Sequence, residues 1–196
     1  MGKILKQNFF NRDAKIVAEE LLGKFLVRKI GKKEIACMIT ETESYDGPND
    51  KASHAHKGRT PRTEVMFGPA GRLYVYFCYG MHHMLNVVTG PQDYPAAVLI
   101  RGAKQPPFKL PTSDLPAGKA GIHSLDGPGK LTKYLKINKS LNGEKAEKRS
   151  GVWFENRGVR IKKSDVLKTP RVGVAYAGPV WSKKKMRFVL KNRRTM

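Results

Sequence analysis

The sequence predicts an α+β fold: a single domain over residues 1–196, with a curved, mostly antiparallel sheet flanked by helices and a protruding hairpin. Three observations point to it. Strand-like runs of alternating or aromatic-rich residues recur along the chain, whereas a long 3.6-residue apolar period occurs once, near the N-terminus. Glycine, proline and short basic turns separate the strand-like runs by hairpin-length intervals. A chain of 196 residues with 40% hydrophobic side chains can bury one sizeable core without disulfide or metal staples.

The elements follow in order. Residues Asn11 to Leu22 read as a helix, with Asn11 or Asp13 as cap and Ala14, Val17, Ala18, Leu21 and Leu22 on one face; Gly23 ends it. Phe25 to Lys29, a Gly31-Lys32-Lys33 turn and Glu34 to Tyr45 read as a hairpin. Strict alternation along the second strand puts Ile35, Cys37, Ile39, Glu41, Glu43 and Tyr45 on one face, which begins apolar and ends in two carboxylates and a ring. A loop from Asp46 to Arg62 is followed by the aromatic strand Arg72–Tyr79, a break at Gly80, a strand-like segment to Val88 and the strand Ala96–Arg101. Lys104 to Gly121 is rich in proline and glycine and reads as an exposed loop. Pro128 opens a helix through Leu135. Strand-like pieces around Val152–Glu155, Val172–Tyr176 and Met186–Leu190 close the fold, and the basic tail 191–196 reads as mobile.

Charge narrows the functional classes. Thirty-eight Lys and Arg stand against sixteen Asp and Glu, a formal net charge of +22. Such an excess favours a polyanionic partner, with nucleic acid ahead of an anionic membrane surface. The one clear helix carries Glu19 and Glu20 and lacks the basic amphipathic character of a membrane-surface anchor. Cys37 and Cys78 lie in apolar runs without CxxC spacing, and no histidine has cysteine partners at zinc-finger intervals, so neither a metal nor another cofactor is expected. No apolar leader or membrane-length run is visible, and the expected location is cytoplasmic, nucleoid-associated in a bacterium.

Three segments carry chemistry. In ETESYDGPNDKASHAH, residues 41 to 56, Glu43 and Tyr45 stand two apart on a strand, with histidines close enough to fold back over them. A carboxylate against apolar surroundings acts as a base near neutrality; the same spacing also fits a solvated strand end. In RLYVYFCYGMHHMLN, residues 72 to 86, the Tyr79-Gly80-Met81 corner places an aromatic at a turn, where it can wedge into a base stack; taken alone, Tyr74 and Tyr76 read as ordinary strand packing. In DGPGKLTKYLKINKS, residues 126 to 140, Gly127, Gly129 and Lys130 at a helix start fit a phosphate clasp or a plain cap on a basic surface.

Taken together, ETESYDGPNDKASH, RTPR, MFGPAGRLYVYFCYGM…N, AAVLIRG, GPGKL and RVGVAYAG stand in the order found in the alkyladenine (3-methyladenine) DNA glycosylase family. The chain resembles that family from about Phe9 to Phe188, and the ETE-x-Y and LYVY-x-x-YGM blocks are specific in combination. The resemblance implies a monofunctional hydrolase acting in base-excision repair on double-stranded DNA that contains alkylated or deaminated purines. It implies Glu43 as general base, with Arg101 supporting the water and phosphate side. Tyr45, His54, Tyr76 and Asn86 are then the base pocket, Tyr79 the intercalating residue, and Arg62, Gly127, Gly129 and Lys130 contacts to the DNA backbone. No matching catalytic lysine is present, which implies no Schiff base and no strand cleavage. A monomer without an obligate protein partner is expected. His82 and His83 depart from the family's more aromatic or apolar pair beyond the wedge. The rival class is a non-catalytic nucleic-acid-binding protein, which the charge fits but which leaves Glu43, Tyr45 and His54 without a purpose.

Overall fold

A computed structural model describes residues 2–78, 80–105 and 124–191. In chain order the elements are β1 (Lys3–Ile4), α1 (Gln7–Phe10), α2 (Ala14–Leu21), β2 (Phe25–Ile30), β3 (Lys33–Asp46), β4 (Leu73–Cys78), β5 (His82–Thr89), β6 (Ala96–Lys104), β7 (Ser124–Asp126), α3 (Pro128–Tyr134), β8 (Val152–Asn156), β9 (Val166–Thr169), α4 (Gly178–Lys183) and β10 (Arg187–Leu190). The single antiparallel sheet has the order β1-β8-β2-β3-β6-β5-β4, with β7 on β6 and a β10–β9 ladder on β3. Tyr79, residues 106–123 and residues 192–196 lie outside the described residues, and with them the expected wedge, most of the proline- and glycine-rich loop and the basic tail.

Local chemistry explains the first elements. Asp13, not Asn11, caps the long helix: its carboxylate accepts from the amides of Lys15 (2.8 Å) and Ile16 (3.2 Å). Of the two expected caps it is thus Asp13 that serves; the helix begins at Ala14, three residues after the expected Asn11, and a separate turn, α1, precedes it. Val17, Ala18 and Leu21 enter the main core with Phe10, Cys37, Ile39, Val98, Ile100 and Phe154. The helices are few and short beside ten strands among the described residues. The expected strand at Val172–Tyr176 is absent. Gly173 sits at φ +73° and breaks extended backbone, and a 3₁₀ turn forms at Ala175–Ala177 instead.

The most consequential difference lies in β3. Its side chains do not keep one alternation. The β3–β6 register shifts between Ile39 and Glu41 and again between Glu41 and Thr42. Ile39 pairs with Ala103 and Thr42 with Ile100, so each strand spends three residues between two core-facing positions. The buried Thr42 hydroxyl donates to the Ala18 carbonyl of α2 at 2.8 Å, which fixes that face. Glu41, Glu43 and Tyr45 consequently face away from Cys37 and Ile39, not along with them. A paired irregularity of this kind kinks the sheet and re-aims side chains. Here it turns the carboxylates to the side opposite the main core, where residues 46–67 and 171–177 cover the sheet.

Candidate active site

On that second face lies a cavity of about 530 Å³, within the size range of small-molecule sites. Tyr45, His54, Tyr74, Tyr76, Asn86 and Arg101 line it. Alternation carries Tyr74 and Tyr76 of β4, Asn86 of β5, and Ala97, Leu99 and Arg101 of β6 to the same face. The sequence thus brings together five of the six residues expected at the base and water, and the sixth, Glu43, sits directly behind the wall.

Glu43 is fully buried, at 0% exposure. Its Oε1 accepts the Val172 amide at 2.8 Å and lies 3.5 Å from Arg101 Nε; its Oε2 accepts the Tyr45 hydroxyl at 2.9 Å. Burial raises the Glu43 pKa above the ordinary carboxylate value, and Arg101, the Val172 amide, Tyr45 and Arg171 work against that rise. The Tyr45 phenol is pushed well up by its own burial and by Glu43, so it stays a donor. Arg101 is held from the other side by Glu41, whose Oε1 accepts from Arg101 Nε (2.9 Å) and from Arg187 Nε (2.6 Å).

The opposite wall is aromatic. The His54 ring meets Tyr76 edge-on, at 4.6 Å between centroids and 79° between planes, and Tyr76 lies 5.3 Å from Tyr74. Ser53 caps the 3₁₀ turn that presents His54. Arg62 donates to His54 Nε2 at 3.4 Å, which makes Nε2 an acceptor and leaves Nδ1–H to donate to the Tyr74 hydroxyl at 3.0 Å. Burial, reinforced by Arg62, lowers the His54 pKa to about 4, so the ring is neutral at physiological pH. The Asn86 side-chain amide donates to the Tyr74 carbonyl at 3.0 Å and is thereby fixed on the cavity wall.

Gly127, Gly129 and Lys130 line the outer wall beside His82. Gly127 adopts φ +107°, and its amide donates to the Arg101 carbonyl at 3.1 Å, so that amide is not open as the helix-start reading expects. A Cβ on Gly129 would stand 2.7 Å from His82 Cγ; glycine is required for α3 to approach β5.

Sequence reasoning missed Asp50, Arg171 and Val172. Asp50 and Arg171 form a fully buried bidentate pair, with NH1–Oδ2 at 2.5 Å and NH2–Oδ1 at 2.8 Å. Arg171 also donates to the Ser44 carbonyl at 2.9 Å and lies 4.7 Å from the Tyr45 ring centroid. Arg171 opens the RVGVAYAG block and Asp50 sits in the GPND turn. A basic residue and an acidic one, each inside a recognised block yet given no role, were the only signal available.

The profile of the methylpurine-DNA glycosylase (MPG) family matches residues 8–194. Among curated proteins, the chain is 42% identical over 190 residues to one from Anaeromyxobacter dehalogenans (strain 2CP-C), covering 95% of this chain and 83% of the relative. It is 43% identical over 176 residues to one from Methanocella arvoryzae, covering 89% and 86%, and 48% identical over 153 residues to one from Desulfitobacterium hafniense (strain Y51), covering 72% and 74%. All three bear the name "Putative 3-methyladenine DNA glycosylase".

Proposed function

This chain belongs to the methylpurine-DNA glycosylase family, and we propose that it hydrolyses the N-glycosidic bond of alkylated or deaminated purines in double-stranded DNA, with Glu43 as general base. The observation that carries the reading is a wholly buried carboxylate, held by two hydrogen bonds and an arginine 3.5 Å away, directly behind the wall of a ring-lined cavity.

The chemistry requires a damaged nucleotide to leave the stack and enter a pocket, at a cost of a few kcal/mol. Tyr45 and Tyr76 sandwich the purine, the His54 segment and Asn86 meet its edge, and Tyr79 fills the gap left in the duplex. Glu43 takes a proton from water as that water attacks the anomeric carbon. The same negative charge stabilises the oxocarbenium character of the sugar. Each carboxylate oxygen has two acceptor positions, so the bonds from Val172 and Tyr45 do not exhaust its capacity to accept from a water. Arg101 opposes the rise that burial imposes on the Glu43 pKa. Lys130, on the outer wall with Gly127 and Gly129, approaches the DNA backbone. The product is an abasic site without a nick. The described residues include no helix long and apolar enough to cross a membrane.

The test is release of base from a duplex carrying one hypoxanthine or one methylated purine. Wild type yields free base and an intact strand. Glu43→Gln binds the damaged duplex with similar affinity and releases at least about a hundredfold less, the scale of a lost general base. Turnover retained in the variant removes Glu43 from the mechanism.

A further inference from the structure

Two guanidiniums stand beside the buried Glu43, and one carboxylate oxygen draws both of them off it. On β10, Phe188 enters the main core, so alternation puts Arg187 on the opposite face, with Glu41 and Glu43. Arg187 is the direct cross-strand partner of Glu43, a position at which side chains ordinarily interact. Its guanidinium runs diagonally instead. Nε donates to Glu41 Oε1 at 2.6 Å, and NH1 donates to Thr169 Oγ1 of β9 at 3.4 Å. From the other side Arg101 Nε donates to the same Oε1 at 2.9 Å and stays 3.5 Å from Glu43 Oε1. Two donors fill both acceptor positions of that oxygen. The Glu41 and Arg101 side chains are 13% and 14% exposed and Arg187 27%, so water screens these charges only in part.

We propose that Arg187 is a positioning residue: by competing with Arg101 for Glu41, it sets how closely the Arg101 guanidinium approaches Glu43, and so how strong a base Glu43 is. This inference rests on the excision reading above, in which Glu43 takes the proton from water, and assigns to Arg187 the tuning of that step.

Every element around Glu43 contributes a charged or titratable group. Arg101 comes from β6, Arg187 from β10, Glu41 and Tyr45 from β3, Tyr76 from β4, and Arg171 with the Val172 amide from the segment after β9. Among those that oppose the burial-driven rise of the Glu43 pKa, Arg101 acts most strongly, so the position of its guanidinium is the lever. Removing Arg187 leaves Glu41 to Arg101 alone. The guanidinium is then drawn further from Glu43, a nearby cation is lost as well, and both changes favour the protonated acid. Removing the charge of Glu41 does the reverse. It frees both guanidiniums to turn toward Glu43 and takes away a nearby anion, and both changes favour the carboxylate. The two substitutions therefore act on Glu43 with opposite signs.

The experiment reads Glu43 directly and through catalysis, on the full chain. Protein carrying carbon-13 in its glutamate carboxyl groups is titrated by NMR, with Glu43→Gln identifying the Glu43 signal. Single-turnover release of hypoxanthine from one duplex is followed over the same pH range, with spontaneous depurination subtracted. Arg187→Gln raises the Glu43 titration midpoint, and that of the acidic limb of the excision rate, by about one pH unit. Glu41→Gln lowers both by about one unit and cuts the limiting rate roughly threefold, as a weaker base requires. Arg187→Lys, which keeps the charge, returns the midpoint most of the way to the wild-type value. A merely structural role lowers the limiting rate and leaves the midpoints in place; that result overturns the proposal, as do midpoints that move the same way in both variants. If Glu41→Gln does not fold, the Arg187 variants decide, and an unmoved midpoint in Arg187→Gln overturns the proposal. A wild-type chain that releases no base, with the carboxyl signal still shifting as described, overturns the excision reading and leaves the control of Glu43 by Arg187 standing.

Discussion

Asp50→Asn tests whether the buried pair behind Tyr45 is what fixes the cavity wall. The substitution keeps the shape of the side chain and removes its charge. Asp50 and Arg171 are 0% and 5% exposed, so water cannot replace the lost partner. Arg171 Nε already has no hydrogen-bond acceptor, and the guanidinium would be left with the Ser44 carbonyl, the Tyr45 ring face and one amide oxygen. Leaving one member of a buried ion pair uncompensated costs about 3–5 kcal/mol. For a domain of this size each kcal/mol moves the melting temperature by about 2–4 °C, so the midpoint falls by roughly 6–20 °C. Urea titration followed by tryptophan fluorescence gives the free energy; base release from hypoxanthine-containing duplex, measured well below the new midpoint, gives the rate. The rate falls as well, because Arg171 precedes the Val172 amide that binds Glu43 and underlies the ring that donates to it. A stability loss under about 1 kcal/mol means the pair is solvated, and the positioning role assigned to it is wrong.

Two further predictions concern the kinked strand and the buried acid. Thr42→Val removes the buried hydroxyl that donates to Ala18, costs about 1 kcal/mol in urea unfolding, and leaves the rate of base release unchanged because that side chain faces α2; a large rate loss would place Thr42 on the cavity side. Glu43 acts as the carboxylate and its pKa is raised, so the excision rate climbs with pH through a value above the ordinary 4.5, with no second limb from His54 near neutrality because that ring titrates at about 4. The sign for stability is the reverse. A folded pKa above the unfolded one gives Glu43 a contribution that is present below the unfolded value and lost as pH rises through the folded value. Melting curves therefore show Glu43→Gln more stable than wild type at pH 8, with the advantage shrinking by pH 4.

Which parts of this molecule were legible beforehand follows from the range of the interactions that set them. The α2 face, the β2–β3 hairpin, β4, β5 and β6 are written in local period and turn chemistry, and the alternation that sends Tyr74, Tyr76 and Asn86 to one side survives intact. The direction of Glu43 does not follow from local period. Strict alternation puts it with Ile39, and only the paired irregularity around Thr40 and Arg101, a property of two strands 60 residues apart, reverses it. The Val172 segment is misread for a related reason: its apolar pattern is strand-like, but the left-handed Gly173 and the demand for an amide at Glu43 take it out of the sheet. Motif resemblance singled out Glu43 independently of its direction, which a period of two mis-aimed.

The energetics of Glu43 explain why so many separate segments converge on it. A carboxylate with no exposed surface prefers to be protonated, and a protonated acid accepts no proton from water. Four groups oppose that preference: Arg101 most strongly, then the Val172 amide, the Tyr45 hydroxyl and, more distantly, Arg171. They come from β6, the turn after β9 and β3 itself, so the chemistry exists only when all three are assembled. Too little opposition leaves a neutral acid. Too much, as from a direct bidentate arginine, gives a carboxylate too weakly basic to take a proton. The observed arrangement avoids the second outcome by spending the strongest bond of Arg101 on Glu41 at 2.9 Å and leaving Glu43 at 3.5 Å. On the proposed mechanism Glu41 supports the base indirectly, by holding the Arg101 guanidinium back from Glu43.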